Sequence, residues 1–472
     1  MKSLVYSDVG VLRADLDGVI RVEVNRVEVL DQEEVRGQLI DRLVWTAVFG
    51  EGETQEASRF LIRATATALD AWTASIHDLY MAAGRRDYAN ITTPAINVRG
   101  MAYDMARRIF CAAEVTGSKQ ILFELARSET GYTDQRPGEY ASVVLAAAIK
   151  EGYSGPVMIQ GDHYQADAAK YAENPEAEIR GVRELAIEAI QAGYGNIDID
   201  ASTLVDLSRD SLLDQQRENY VHTAELTRAI REAEPEGITI SVGGEIGEVG
   251  KENSTVQDLE AFTTGYQQEM ERLSEEAGRT LVGISKISVQ TGTSHGGVMM
   301  PDGTMQEVSV DFGTLASLSA ASKDEYGLGG AVQHGASTLP ESAFGAFAES
   351  DAVEVHLATG FQNIIYDHPA FPEALKQRIY GYLTEHRASE RKPDENDDQF
   401  YYKTRKRGFG PFKKELWSLP EETRATIGDA LQERFELIMR ELRVAGNAHL
   451  VDQHIKRVDV ATPAPEALIR AE

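Results

Sequence analysis

The feature that most constrains this chain is a series of eight short apolar runs between residues 94 and 357, separated by longer stretches of helical periodicity. The runs are PAINV (94–98), QILFEL (120–125), PVMIQ (156–160), NIDID (196–200), ITISVGGE (238–245), GISKISVQ (283–290), GAVQ (330–333) and VEVHL (353–357). Short, mostly apolar runs of this kind suit strands covered on both faces, as in a parallel sheet. Between them, residues 103–113, 141–150, 180–191, 218–232, 256–275 and 312–322 repeat apolar side chains at helical spacing. Parallel neighbours need a crossover, and a helix after each strand supplies it. Eight such units predict an α/β chain closed into a (β/α)8 TIM barrel, with loops at one rim free for chemistry.

The flanks do not join this alternation. Residues 1–85 offer a strand-like VIRVEVNRVEV (19–29) and helical stretches at 31–48 and 53–83, an N-terminal extension that caps the barrel or meets another subunit. The barrel is expected over 86–388, and a C-terminal helical extension over 389–472. That extension opens with the breaker-rich SERKPDENDD, continues through the basic and aromatic FYYKTRKRGFGPFKKELW, and ends in an amphipathic helix near 420–444. On an acidic chain the basic segment reads as solvated or subunit-facing in preference to phosphate-binding.

Composition narrows the function. A hydrophobic content of 42% over 472 residues supplies a sizeable core. A formal net charge of −29 opposes association with nucleic acid or anionic membrane, because like charges repel. No stretch approaches the run of about 20 apolar residues that crosses a bilayer. The amino terminus lacks the basic-then-apolar pattern of a secretory signal, so a cytoplasmic location is expected. The single cysteine, Cys111, excludes an internal disulfide and a thiolate cluster, and is expected to be a buried small hydrophobe. Any metal must then take nitrogen and oxygen donors.

Polar residues fall at the carboxyl ends of the predicted strands: Asp162 and His163 after the third, Asp200 ending the fourth, Glu245 ending the fifth, His295 after the sixth and His334 after the seventh. That rim is where barrels build their sites. One histidine among ten is more often a structural or surface residue, but three beside strand-terminating, glycine-containing sequence (QGDHYQ, GTSHGG, VQHGAS) suit a zinc ion. His77, His222, His368, His386, His449 and His454 lie in helical or loop stretches and are left out. Gly296, Gly297, Gly335, Ala336 and Ser337 let backbone N–H groups approach an anion closely, which predicts a phosphate cradle beside the metal.

The motifs TPAINVRG, QGDHYQ, DIDAS, GGEIGEVG, GTSHGG and VQHGAS, in this order over residues 90–365, resemble the class II fructose-bisphosphate and tagatose-bisphosphate aldolase family. The resemblance implies a homo-oligomeric barrel that cleaves a small phosphorylated ketose into dihydroxyacetone phosphate and an aldehyde. It implies zinc on His163, His295 and His334, with Asp200 and Glu245 able to hold a second divalent or monovalent cation. Asp162 corresponds to the acid/base at the substrate C4 hydroxyl. Asn97 corresponds to a polar substrate contact, and Gly296, Gly335, Ala336, Ser337 and Thr359 to phosphate-binding positions. Several positions depart from the pattern. Gln160 replaces a leading histidine, Gly243 a glutamate and Ala126 a serine, while His356 and Ala358 replace an Asn and an Asp of the substrate loop. Asn253 falls where the base that removes the C3 proton is usual, leaving Glu252 to serve. Two other readings stay open: a metal-dependent sugar or sugar-phosphate isomerase or epimerase, and a non-catalytic partner subunit, which predicts eroded ligands.

Overall fold

The computed structural model describes residues 4–247, 252–292, 299–300 and 309–469. A short antiparallel hairpin comes first, β1 (Ile20–Val22) and β2 (Val27–Val29), followed by β3 (Ala71–Thr73). All eight apolar runs then form strands: β4 (Thr93–Asn97), β5 (Leu122–Ala126), β6 (Gly155–Gln165), β7 (Asn196–Asp200), β8 (Ser241–Gly247), β9 (Lys286–Val289), β10 (Ala331–Gln333) and β11 (Glu354–Leu357). Each is parallel to its successor, and β11 pairs back with β4, so the sheet closes into a TIM barrel with helices outside.

The two faces of the strands part as the pattern requires. Ile96, Phe123, Ile159, Ile197, Val242 and Val355 point outward into a core shared with the helices. Ala95, Leu122, Met158 and Val332 point into the barrel, where Ile76, Leu79, Tyr80 and Ala83 plug its amino-terminal end. The plug is the helix His77–Gly84. One expectation fails here, because 53–83 is not one helix. The helix Gly52–Ala68 stops, Asp70 turns left-handed at φ +64°, and β3 pairs with the first residues of β6 before the plug begins. An Asp tolerates that conformation better than most residues, so the turn is local chemistry that periodicity does not report.

The basic and aromatic segment, expected to be solvated or subunit-facing, packs its rings against this chain's own barrel. Phe400, Phe409, Phe412 and Trp417 are buried, and the helix Glu421–Glu441 lies along Ala102–Thr116. Cys111 is half-buried and its thiol donates to Glu151 Oε2 at 3.2 Å, so it is not the small core hydrophobe expected. No helix among the described residues is long and apolar enough to cross a membrane.

Candidate active site

In a regular strand successive side chains point to opposite faces, so the neighbours Asp162 and His163 cannot both enter one site. The barrel breaks the rule at this point. Gly161 of β6 pairs with Ile197 and Tyr164 with Ile199, leaving Asp162 and His163 opposite the single residue Asp198, and His163 takes φ +40°. A bulge with a left-handed non-glycine residue is backbone strain of the kind that collects at working sites. Gly161 permits it, since a Cβ there would lie 2.5 Å from the Tyr164 ring.

The bulge delivers His163 to a cavity of about 840 Å³ at the carboxyl ends of the strands, lined also by Asn97, Glu124, Asp162, Glu245, His334, Gly335, Ser337, His356 and Thr359. His163 Nδ1 lies 3.0 Å from Glu245 Oε2 and 3.1 Å from Asp200 Oδ2. The rings of His163 and His334 are 4.1 Å apart between centroids, and those of His334 and His356 4.0 Å. Asp162, His163 and His334 offer one donor atom each within 4.8 Å of one another, as do His163, Asp200 and Glu245. These nitrogen and oxygen donors fit a divalent ion such as zinc.

Beneath the cavity lies a second charged layer. Lys286 Nζ is fully buried, 2.7 Å from Glu354 and 2.9 Å from Asp198, and donates to Gln160 Oε1 at 2.8 Å. Tyr80 rises from the plug to donate to Glu354 Oε2 at 2.5 Å. His356 joins the layers: Nε2 is 2.5 Å from Glu354, while Nδ1 is 2.7 Å from Glu124 and 3.1 Å from Asp162. Gly243 makes room for this layer, because a Cβ there would lie 2.4 Å from Asp198 Oδ1.

The crowding of carboxylates sets the protonation. Burial pushes Glu124 up to about 8, against the pull of His356, and pushes Glu245 up to about 7, with Asp200 adding to it. Burial raises Asp198 as well, to about 6, although Lys286 opposes it. Burial works against charge on His163 and His356, yet both stay well above the ordinary imidazole range. Asp162 and Glu245 hold His163 there, and Glu124 and Asp162 hold His356.

The structure therefore brings together Asp162, His163, His334, Asp200 and Glu245, with Asp200 buried behind His163. Gly335 is left-handed at φ +73° and opens the turn Ala336–Thr338, in which Ser337 lines the cavity while Ala336 is buried behind it. Thr359 begins the helix Thr359–Asp367, whose Gly360 N–H donates to Ser337 Oγ at 3.0 Å. Asn97 is clamped, donating to Glu129 at 2.5 Å and accepting from Arg99 at 2.9 Å. Glu252 is exposed and is not among the residues lining the cavity. His295 and Gly296 lie outside the described residues. Sequence reasoning missed Glu124, Asp198, Lys286 and Glu354 as a connected set. The signal was a charged residue at an interior position of each of four strand runs, which burial tolerates only with a partner.

Barrel and mouth together define a (β/α)8 barrel with a candidate metal centre. The chain belongs to the class II fructose-bisphosphate aldolase family, whose profile matches residues 74–410. Among solved structures it is similar to the fructose-bisphosphate aldolase of Campylobacter jejuni, at 16% identity over 79% of this chain and 97% of that one, with a TM-score of 0.48. It is also similar to the fructuronate-tagaturonate epimerase UxaE of Cohnella laeviribosi, at 14% identity over 94% and 90%, with a TM-score of 0.47. No curated protein matches the sequence.

Proposed function

We propose that the protein catalyses the reversible aldol cleavage of a phosphorylated ketose, giving dihydroxyacetone phosphate and an aldehyde. The observation that carries this reading is the meeting of Asp162, His163 and His334 within 4.8 Å at the carboxyl rim, on a bulge that turns two successive side chains inward. Cleaving a carbon–carbon bond next to a ketone leaves negative charge on the carbonyl oxygen. A zinc ion held by His163 and His334, with His295 as the third ligand expected from the family, supplies Lewis-acid stabilisation of that charge when bound.

The chain's own groups supply the rest. Asp162 takes the proton of the C4 hydroxyl as the bond breaks, and returns it in condensation. Gly335, Ser337 and Thr359 present backbone and hydroxyl donors to the phosphate, next to the amino-terminal turn of Thr359–Asp367. Asn97, fixed by Arg99 and Glu129, orients a substrate hydroxyl.

A second reading has its own support. His356, with Glu124 2.7 Å from its Nδ1, lies 3.1 Å from Asp162 Oδ1, the oxygen that His163 also approaches, so a second proton carrier meets this carboxylate. That pairing suits inversion of a sugar carbon without net release of fragments. A coupled assay of triose phosphate release from fructose or tagatose 1,6-bisphosphate, with and without a chelator, separates the two. Chelator-sensitive release supports the aldolase. Epimerised ketose without release assigns the site to the second reading.

A further inference from the structure

The basic segment of the C-terminal extension contains one cation that differs from its neighbours. Lys403 pairs with Glu395 at 2.6 Å, Arg405 with Asp367 at 2.6 Å, Arg407 with Glu390 at 3.5 Å and Lys413 with Glu139 at 2.8 Å. Lys414 is exposed to water. Lys406 is half-buried and lines the cavity, and its ammonium makes no hydrogen bond or ion pair among the described residues. The chain has 76 acidic residues against 47 basic ones, so a missing partner is not a shortage of acids.

Arg99 lines the same wall as Lys406, and its guanidinium is engaged by Glu129 at 2.9 Å and by Asn97. Burial, and then Arg99, hold the Lys406 ammonium below its ordinary range. Glu129, already engaged by Arg99, and Glu390, paired with Arg407, act on the Lys406 ammonium only from a distance, and two neighbouring cations facing a cavity are an arrangement that an incoming anion stabilises. This wall follows β4 and β5, one step around the rim from the β10 and β11 loops that carry Gly335, Ser337 and Thr359.

We propose that Lys406, assisted by Arg99, binds an anionic group, phosphate or carboxylate, at the end of the substrate that leaves as the aldehyde. The C-terminal extension thereby completes the substrate pocket and helps set which sugars enter. This inference deepens the reading of the cavity as the substrate site, and it is tested without turnover.

Reductive methylation with an isotope-labelled reagent gives each accessible lysine an NMR signal, and the Lys406 signal is assigned by its loss in Lys406→Arg. Inorganic phosphate is titrated in one arm and glycolate in the other. A saturable shift of the Lys406 signal with phosphate supports a phosphorylated aldehyde end; a shift with glycolate alone supports a carboxylate end. Calorimetry on unmethylated protein should show affinity for the effective anion falling about tenfold or more in Lys406→Gln and largely recovered in Lys406→Arg, as for loss of a charged hydrogen bond. A Lys406 signal indifferent to both anions in folded protein, or equal affinity in all three chains, overturns the proposal. Anion binding at Lys406 with no triose release in the coupled assay leaves it standing and removes only the aldolase reading.

Discussion

Asp162 and His163 are adjacent in sequence yet meet different partners, and the bulge between Gly161 and Tyr164 is what allows both to face the cavity. His163 contacts Asp200 and Glu245, whereas Asp162 Oδ1 faces His356. Asp162→Asn should therefore keep its metal, measured by elemental analysis, while turnover falls about 10²-fold or more, the size of a lost general acid/base. Loss of metal together with activity would make Asp162 a ligand and contradict that division. A second residue-scale test concerns Gly243, where the family's usual glutamate would collide with the Lys286–Asp198 pair. Even Gly243→Ala places a carbon 2.4 Å from Asp198 Oδ1. It should cost about 1–3 kcal/mol in urea unfolding, as overpacking does, and an unchanged midpoint would show that the layer yields easily. At this scale the site was half legible. Histidines at strand ends announce themselves by position, but the pairing of Lys286 with Glu354 and Asp198 depends on which strands become neighbours across the barrel, and a linear pattern does not carry that.

Among the elements, the eight barrel strands were readable because a strand covered on both faces is apolar almost throughout. Two features escaped for physical reasons. β6 runs on to Gln165, past the predicted end at 160, because the bulge resets its pairing with β7 beyond Gly161. β3 is three residues long, too short for any period to show, and the plug helix after it looked continuous with the helix before it. That plug has its own pH signature. His77, 7% exposed at the first turn of His77–Gly84, is pushed down from 6.5 to about 4 by burial, with Arg231 adding to the push. Its folded pKa lies below the unfolded one, so the unfolded chain binds the extra proton as pH falls. The stability contribution is whole above about 6.5 and drains away toward 4, by about 3 kcal/mol in all. His77→Gln should flatten the fall in unfolding free energy between pH 7 and pH 4.5. A slope identical to that of the parent chain would place the acid sensitivity elsewhere.

For the molecule as a whole, the extension beyond residue 388 decides whether the barrel stands as a unit without it. Sequence showed an amphipathic helix near 420–444 but not the surface that receives it, since one apolar stripe fits many partners. The receiving surface is the helix Ala102–Thr116, and Ile427, Leu431, Phe435, Ile438 and Met439 are each buried at 0–1% exposure. Complete burial of such a side chain is worth about 1.5–3 kcal/mol. Five of them rival the 5–15 kcal/mol net stability of a typical domain. A chain ending at residue 388 should therefore expose the 102–116 face and fail to give a cooperative melting transition. A milder variant keeps the test decisive if that chain merely aggregates. Phe435 packs edge-on against Phe361, with centroids 5.0 Å apart, and Phe361 lies on the helix that Thr359 begins. Phe435→Ala should cost about 3–5 kcal/mol by the cavity it leaves, and by loosening that helix it should raise KM for a phosphorylated ketose more than it lowers kcat. A melting temperature within a degree of the parent, or a native truncated barrel, would mean that the extension merely rests on the barrel.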